Sequence, residues 1–275
     1  MPIRVIPLTP NLGAEILDAD LDSETDLNVI KSAFVEHSVV AIRDLDLTPD
    51  QHLEFARKWG EINVNRFFKP VDDHPEIAMV LKEPDQSSAI GETWHTDHSY
   101  DAAPAMCSML YARDVPEVGG DTCFASQHAA YLALSDGMKL MLENLNAWHS
   151  SRHAFGVALA DEEAHKDGRL GNEAAATQDA LHPVIIKHPL SGRKCLYVNG
   201  DFTTHFEGWT REESQPLLKQ LFAHCARADF TCRLRWKKGT LGIWDNRATQ
   251  HMAMNDYPGK RRLMHRITIE GVPLS

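Results

Sequence analysis

The sequence predicts a single, mainly β domain, an antiparallel sandwich or barrel with flanking helices. Strand-like runs outnumber helical runs and do not alternate with them regularly, which disfavours a doubly wound parallel sheet. No internal repeat is visible in the sequence. A length of 275 residues and a hydrophobic content of 43 % are enough for one large domain with its own core.

Helical periodicity marks four segments of the sequence. In the first of them, Leu27, Ile30 and Phe34 recur near the spacing of one helix face. The predicted helices are 24–37, 49–59, 126–145 and 210–226. Short apolar runs between them, commonly bounded by Gly, Pro, Asp or Asn, are typical of strands. The predicted strands are 39–42, 77–81, 106–111, 184–186, 195–198, 231–236, 241–244 and 263–269.

Two long connections, 67–93 and 159–180, interrupt this pattern. The first holds one possible strand but is otherwise polar, and it leads directly into the WHTD segment at 94–97. The second is polar and rich in alanine. Connections of this length in a compact domain are usually lids over a site or disordered surface, so we expect lid or loop segments here. For 159–180, composition favours neither a lid nor a solvated insert.

Charge and cysteine content narrow the range of partners. The 28 Lys and Arg residues against 39 Asp and Glu give a net charge of −11, the wrong sign for binding nucleic acid or an anionic membrane. The N-terminus lacks a signal-peptide pattern and no apolar stretch is long enough to span a bilayer, so we expect a cytoplasmic enzyme. Five scattered cysteines without a CxxC pair argue against disulfides or a cysteine-based zinc site.

The 15 histidines are the unusual feature of the composition, and the segment from His95 to Asp97 is the most informative place among them. In an extended backbone, residues i and i+2 project from one face, so His95 and Asp97 deliver an imidazole and a carboxylate to one point. His251, which follows a predicted strand and turn, is the best candidate for a third ligand. Two histidines and one carboxylate form the facial triad that holds Fe(II) with open positions for oxygen and a co-substrate.

Other histidines precede an acidic residue at the same i, i+2 spacing. They are His52, His74, His165 and His205. His52 lies in a predicted helix, where i and i+2 face apart, and the other three lie in loop-like sequence. We therefore expect all four to be solvated surface residues.

Two arginines share one face of the last predicted strand. Arg262 and Arg266 alternate with residues of the opposite face, and in so acidic a protein a mere solubilising role is a poor explanation for them. Planar guanidinium groups suit carboxylates, sulfonates and sulfates. The pair therefore predicts either a receptor for two small anions beside one metal or internal salt bridges.

Six segments of the sequence resemble the taurine dioxygenase (TauD/TfdA) family of iron(II)/α-ketoglutarate-dependent oxygenases. They are WHTD (94–97), PEVGGDT (116–122), HPVIIKHPLSGRK (182–194), YVN (197–199), WDNRATQH (244–251) and RRLMHR (261–266). The segments span most of the chain in the order that the family keeps. PEVGGDTCF (116–124) and DFTCRLRWKK (229–238) resemble the phenoxypropionate and phenoxyalkanoate members in particular.

The resemblance implies a fold, a metal centre and a reaction. The fold is a double-stranded β-helix (jelly roll, cupin-like), and His95, Asp97 and His251 are the implied Fe(II) ligands. The cosubstrates are 2-oxoglutarate (α-ketoglutarate) and O2. The implied reaction hydroxylates a small organic anion and releases succinate and CO2. Sulfonates, alkyl sulfates, phenoxyalkanoates and similar carboxylates are the implied substrates.

The resemblance also assigns residues to the two anions. Thr122 and Arg262 match the residues that hold the distal carboxylate of α-ketoglutarate. Arg266 matches the arginine that meets the substrate sulfonate, although relatives also use this position towards the cosubstrate.

Five further positions are expected to line the substrate pocket. Asn65 and Phe68 stand where taurine dioxygenase has a histidine and a tyrosine, which makes taurine itself a poor fit. His98 and Tyr100 follow the metal motif directly, and Phe202 lies opposite them by analogy. These side chains predict an aromatic pocket with polar tips, suited to an aryl or larger alkyl anion.

Two alternative functions remain open at the level of sequence. A zinc-type hydrolase could use the same three ligands on an anionic ester, and a non-catalytic member could keep the fold without the chemistry. In every case the expected partner is a small anionic molecule rather than nucleic acid or membrane. We also expect a homo-oligomer, either a dimer or a tetramer.

Overall fold

The computed structural model describes residues 2–159 and 162–275, and β-strands form most of its regular structure. The strands, in chain order, are β1 (Arg4–Pro7), β2 (Ala14–Leu17), β3 (Val39–Ile42), β4 (Ile62–Asn63), β5 (Pro70–Val71), β6 (His74–Lys82), β7 (Cys107–Asp114), β8 (Thr122–Ser126), β9 (Asn146–Ser150), β10 (Asp179–Pro183), β11 (Ile185–Lys187), β12 (Lys194–Leu196), β13 (Thr203–Phe206), β14 (Thr231–Leu234), β15 (Leu241–Asp245), β16 (Thr249–Ala253) and β17 (Arg262–Ile269). The α-helices are α1 (Glu24–His37), α2 (Pro49–Arg57), α3 (Gln127–Leu132), α4 (Asp136–Leu142), α5 (Arg152–Phe155), α6 (Glu163–Lys166) and α7 (Arg211–Cys225).

Two sheets face each other. The larger has the order β1-β2-β3-β15-β7-β17-β6-β5, with β4 paired to β17, and the smaller has the order β14-β8-β16. Strand pairing is antiparallel except between β2 and β3. Two further small sheets, β10-β9-β13 and β11-β12, extend the structure towards α7. This is the predicted mainly β fold, a jelly roll with flanking helices.

Alternating side chains divide the core between the two faces of the large sheet. In β3, Val40 and Ile42 pack in the cluster that contains residues of α1 and α2. Val39 and Ala41 point the other way, into the cluster that contains Phe124 of the small sheet. Because side chains along a strand alternate between faces, one buried strand serves both layers. The large sheet is therefore covered by helices on one face and by the small sheet on the other.

Helix boundaries follow local capping chemistry. Thr48 and Thr210 each form a capping box at the start of α2 and α7, which confirms those helices near the predicted positions. The prediction of one helix over 126–145 is wrong. The chain forms α3 and α4 instead, because Ser126 and Ser135 each accept a hydrogen bond from a backbone N–H and start a helix of their own.

The two long connections contact each other. Gly171 N donates to Phe67 O at 2.9 Å, and Lys69 N donates to Arg169 O at 3.2 Å. The segment 67–93 contains β5 and β6, and the predicted strand 77–81 is part of β6. Of the predicted lid 159–180, residues 160 and 161 lie outside the described part, and the remainder includes α6 and the start of β10. Within the described ranges no helix is long and apolar enough to cross a bilayer.

Candidate metal centre and substrate cavity

The two histidines of the predicted triad come together through backbone pairing. His95 N donates to His251 O at 3.1 Å, and His251 N donates to His95 O at 2.8 Å, so the two residues form an isolated antiparallel bridge. Their ring centroids are 4.1 Å apart. His251 lies on β16 of the small sheet, and its ring is 6.0 Å from that of Phe124 on the neighbouring strand β8.

The imidazoles of His95 and His251 can each present Nε2 to a metal ion. His95 Nδ1 lies 2.7 Å from Thr93 O, and donation to this carbonyl leaves Nε2 with a free lone pair. Burial lowers the pKa of His251 well below its ordinary value, so this ring is neutral. The Nε2 atoms of His95 and His251 are each 3.8 Å from an oxygen of Asp97.

The Asp97 carboxylate is fixed by two neighbours. Ser108 Oγ donates to Oδ2 at 2.7 Å, and Arg266 Nη1 donates to Oδ1 at 3.3 Å. Burial alone would raise the pKa of Asp97, but the nearby Arg266 guanidinium holds that pKa below its usual range. Asp97 is therefore ionised, which is the form that coordinates a cation.

The three side chains can hold one metal ion. Their ligand atoms all lie within 4.8 Å of one another, and all three residues are buried. Two imidazole nitrogens and one carboxylate oxygen are the donor set of non-haem Fe(II) sites, and they occupy one side of the ion only. The donor set and its spacing therefore fit the predicted metal.

A buried arginine lies in the same cavity. Arg262 Nε donates to Gly120 O at 3.0 Å, while Nη2 is buried without a hydrogen-bond partner in the described part of the chain. Burial lowers the pKa of this guanidinium, which shows how little compensation its charge receives. Thr122 also lines the cavity, and its Oγ1 accepts a hydrogen bond from Trp236 at 2.9 Å. A small carboxylate would satisfy the unpartnered Arg262 donor.

Arg266 connects the triad with the aromatic part of the cavity. Its guanidinium lies over the Phe68 ring, 4.8 Å from the centroid. Nη1 is bonded to Asp97, whereas Nε is buried and has no partner among the described residues. The alternative of internal salt bridges for the two arginines thus applies only in part, to Arg266 and Asp97.

The cavity beside the triad has a volume of about 510 Å³, and several aromatic rings lie in its wall. Phe68, Tyr100 and Phe202 all line it, as predicted, and Phe155 is a further aromatic wall residue. The rings of Tyr100 and Phe202 are 4.9 Å apart, and Phe155 lies 6.0 Å from each of them. Edge and stacked contacts of this kind fix the shape of an apolar chamber.

His98 lines the cavity, but Asn65 does not. His98 has a φ of 58°, a backbone conformation uncommon for a residue with a side chain, and its Nδ1 lies 3.0 Å from Asp101 Oδ2. Asn65, a predicted substrate contact, is absent from the cavity lining among the described residues. Its side-chain oxygen instead accepts hydrogen bonds from the backbone N–H groups of Phe67 and Phe68, which positions Phe68.

The sequence predicts lid or loop segments at 67–93 and 159–180, but it does not identify the residues of this region that line the cavity. Ser88, Glu163, His165 and Leu170 of the two long connections line it together with Phe155. The prediction that His165 is a solvated residue is wrong, because its side chain is only 3 % exposed. These contacts join residues far apart in a polar, low-periodicity sequence, so no local pattern could have shown them.

His52 is likewise buried rather than solvated. Both its ring nitrogens are buried without a hydrogen-bond partner in the described ranges, and its ring is 5.8 Å from that of Tyr111. Its position in α2 beside the buried Leu53, Phe55 and Ala56 was the available signal. The i, i+2 spacing of His52 to an acidic residue was set aside, but this apolar face of the helix was not used to predict burial of His52.

Comparison with known proteins finds the same fold and sequence features elsewhere. The family model described as "Taurine catabolism dioxygenase TauD, TfdA family" matches residues 4–268. The alpha-ketoglutarate-dependent sulfate ester dioxygenase of Pseudomonas putida is 34 % identical over 277 residues, covering 98 % of this chain and 90 % of that protein. The alpha-ketoglutarate-dependent 2,4-dichlorophenoxyacetate dioxygenase of Cupriavidus pinatubonensis is 31 % identical over 290 residues, covering 98 % and 99 %. The crystal structure of a taurine dioxygenase from Burkholderia xenovorans superposes with a TM-score of 0.82 at 30 % identity, covering 98 % and 91 %.

A jelly roll with two histidines and a carboxylate in one cavity, beside a buried arginine whose Nη2 has no partner among the described residues, has the features of the α-ketoglutarate-dependent dioxygenases it resembles. The match to relatives of that class extends over nearly the whole chain. The chain belongs to the taurine catabolism dioxygenase TauD, TfdA family.

Proposed function

We propose that this dioxygenase binds Fe(II) through His95, Asp97 and His251 and hydroxylates a small organic anion that has an apolar body. The observation that carries the proposal is the cluster of three ligand atoms within 4.8 Å of one another, in one cavity with a buried, incompletely bonded arginine. With Fe(II), α-ketoglutarate and O2 bound, such a centre supplies oxidation of a substrate C–H bond coupled to formation of succinate and CO2.

Arg262 and Thr122 bind the distal carboxylate of α-ketoglutarate. The free Nη2 of Arg262 is a charge-assisted donor inside a water-poor cavity, where it is stronger than at a surface. Thr122 has a hydroxyl proton to give, because its oxygen already accepts from Trp236. Together the two side chains fix one end of the cosubstrate and so orient the other end towards the triad.

Arg266 binds the anionic group of the substrate. Its Nε–H group has no hydrogen-bond partner in the described part of the chain. Its guanidinium contacts Asp97 on one side and the Phe68 ring on the other. An anion held there places the adjoining apolar body against Phe68 and the rings beyond it. This arrangement keeps the substrate carbon near the metal while the charged group stays paired.

The shape of the cavity supports an anion with an aryl or alkyl body. The rings of Phe68, Tyr100, Phe155 and Phe202 line the chamber, and the volume of about 510 Å³ falls in the range typical of small-molecule sites. Relatives named for sulfate esters and for 2,4-dichlorophenoxyacetate act on molecules of this description. We therefore propose alkyl sulfates and aryloxyalkanoates as the substrate class, with sulfonates as a further candidate.

The test is succinate release after anaerobic loading. The protein is loaded with Fe(II) and α-ketoglutarate without oxygen, then exposed to oxygen with a panel of alkyl sulfates, phenoxyalkanoates and sulfonates. We expect succinate release to be stimulated by members of the first two classes and to need both Fe(II) and oxygen. Turnover of an anionic ester that is unchanged without oxygen or with zinc alone would overturn the proposal in favour of a hydrolase.

A further inference from the structure

The lid side of the cavity contains a histidine that the proposed reaction does not use. His165 lies on α6 and lines the cavity, with a side chain only 3 % exposed. Its Nδ1 is 2.8 Å from Glu173 Oε1, whereas Nε2 is buried and has no hydrogen-bond partner in the described part of the chain. A buried polar atom without a partner is costly, so it is a position where a ligand atom is expected.

A second histidine that lines the cavity, His98, forms the same kind of pair with a carboxylate. His98 Nδ1 is 3.0 Å from Asp101 Oδ2, and its Nε2 is also buried without a partner within the described ranges. In both pairs the carboxylate fixes the orientation of the ring and leaves one nitrogen available. The cavity therefore has two imidazoles of fixed orientation, each with a nitrogen available for hydrogen bonding.

A chain of contacts leads from Arg266 to His165. The Arg266 guanidinium lies over Phe68, and Phe68 pairs with Leu170 in an isolated antiparallel bridge. Leu170 N donates to Ala164 O at 2.8 Å, and Ala164 is the residue before His165. A substrate whose anion is bound by Arg266 and whose apolar body follows Phe68 and Leu170 thus ends at His165.

The charged residues that line the cavity determine which chemical group of the substrate can bind beside His165. Besides Asp97, the acidic residues that line the cavity are Glu92, Glu162, Glu163 and Asp201, whereas its lining arginines in the described ranges are Arg262 and Arg266. A second anion would meet this acidic surface and be repelled. A hydroxyl group is neutral, and it can either donate to or accept from an imidazole nitrogen, so it pairs with Nε2 in both protonation states.

We propose that His165 is a specificity-determining residue that hydrogen-bonds, through Nε2, a hydroxyl group at the end of the substrate remote from its anionic group. The inference rests on the proposed function and narrows its substrate class. Preferred substrates are hydroxyalkyl sulfates or hydroxyaryloxyalkanoates rather than their unsubstituted parents. Glu173 is a positioning residue, since it acts by orienting the His165 ring.

The test compares substrates in pairs that differ by one hydroxyl group. An alkyl sulfate is paired with its terminal hydroxyalkyl analogue, and phenoxyacetate with the analogue that has a ring hydroxyl opposite the ether oxygen. We expect the wild-type kcat/KM for the hydroxylated member to exceed that for its parent by about 10-fold, because a hydrogen-bonding site rejects an analogue that leaves it unpaired. In His165→Phe this ratio should fall to about one, whereas His165→Gln should keep part of it.

Two outcomes would overturn the inference while leaving the proposed function intact. One is equal kcat/KM for both members of each pair in the wild-type protein. The other is a His165→Phe variant in which both members lose kcat/KM by the same factor, as a purely structural role in the lid predicts. His205→Phe is the matched control, because His205 is absent from the cavity lining in the described ranges, and it should keep the wild-type ratio. If no member of the panel stimulates succinate release, the proposed function itself fails.

Discussion

The cavity has two walls that are built in different ways. We call Thr122, His251, Arg262 and Arg266 on β8, β16 and β17 the strand wall, and Ser88, Phe155, Glu163, His165 and Leu170 the lid wall. Residues of the strand wall are held by ladder hydrogen bonds within the sheets. The lid wall depends mainly on side-chain contacts between the two long connections.

The difference in construction corresponds to a difference in function. Metal coordination and cosubstrate binding need fixed distances, which a sheet supplies and a short helix on a loop does not. Contacts with an exposed partner, such as Glu163 to Ser87, open at lower free energy than buried ladder bonds. We therefore expect changes in the strand wall to abolish chemistry and changes in the lid wall to alter substrate selection.

The largest effect is expected from removing a ligand of the triad. In His251→Ala, Fe(II)-dependent succinate formation should fall by more than about 100-fold, because loss of an outer partner of a metal ligand alone costs about 10–100-fold. The variant should also lose the rise in Tm that Fe(II) gives the wild-type protein. His205→Ala serves as the control and should keep both properties. Succinate formation at the wild-type rate in His251→Ala would contradict the assigned ligand.

The second-largest effect is expected from removing the buried Arg262, which should impair binding of α-ketoglutarate. In Arg262→Leu we expect KM for α-ketoglutarate to rise about 30-fold or more, since losing a buried charged partner costs about 2–5 kcal/mol. In Thr122→Val the rise should be about fivefold, the effect of one neutral hydrogen bond. Steady-state kinetics with α-ketoglutarate varied measures both values. A larger effect for Thr122→Val than for Arg262→Leu would reverse the assigned roles.

A smaller effect is expected when the lid wall is loosened. The Glu163 carboxylate accepts hydrogen bonds from the backbone N–H and hydroxyl groups of Ser87 and Ser88. In Glu163→Gln we expect about threefold higher KM for the organic substrate and about threefold faster limited proteolysis of the lid. Glu212→Gln on α7 is the control, because Glu212 is absent from the cavity lining in the described ranges.

Low pH should loosen the same lid contacts. The hydrogen bonds from Ser88 and Ser87 lower the pKa of Glu163 to about 2. A carboxyl whose pKa is lowered in the folded state stabilises that state above its ordinary pKa and loses the effect as the pH falls through the lowered value. Proteolysis of the lid should therefore accelerate in the wild-type protein as the pH falls towards 2. Glu163→Gln should show less of this acceleration, because it already lacks the Glu163 carboxylate. An identical acid acceleration in Glu163→Gln would contradict this cause.

The smallest effect on activity is expected at the far face of the large sheet. Burial, with the nearby His265 and Arg113, lowers the pKa of His52 to about 3. The unfolded chain therefore takes up this proton first, so the free energy of unfolding should decline as the pH falls from about 6.5 towards 3. His52→Leu should reduce that slope by up to about 1.4 kcal/mol per pH unit and leave succinate formation unchanged. Urea unfolding at several pH values measures the slope, and an unaltered slope would contradict burial of a neutral imidazole.

The strand wall, together with the candidate ligands His95 and Asp97 that lie beside it in the segment before β7, could be predicted from the sequence to a large extent. The i, i+2 spacing of His95 and Asp97 and the alternation of Arg262 and Arg266 are local patterns of extended chain, and the structure brings all four into one cavity. His251 was found although β16 is a short, mixed strand that periodicity does not reveal. His251 is a candidate because of its place after a predicted strand and turn and because of the resemblance, whereas its bridge to His95 is a long-range contact that no local pattern shows.

The lid wall could not be predicted in the same way. Ser88 and Glu163 are 75 residues apart, and each lies in polar sequence without helical or strand periodicity. Because a lid gains its structure from contacts between such segments rather than from local propensity, His165 has no signal in its own neighbourhood. Asn65, a position taken from the resemblance, accepts hydrogen bonds from the backbone of Phe67 and Phe68, a local contact that the resemblance does not indicate.

Incubation under oxygen-18 gas tests the central claim, that the strand wall supports an oxygenase, most directly. The wild-type protein is supplied with Fe(II), α-ketoglutarate and a stimulating alkyl sulfate or phenoxyalkanoate in unlabelled water, and succinate is analysed by mass spectrometry. We predict that each succinate formed contains one labelled oxygen atom and that the amount of succinate equals the amount of O2 consumed. Unlabelled succinate, or product formed without O2 and with oxygen from water, would contradict the claim.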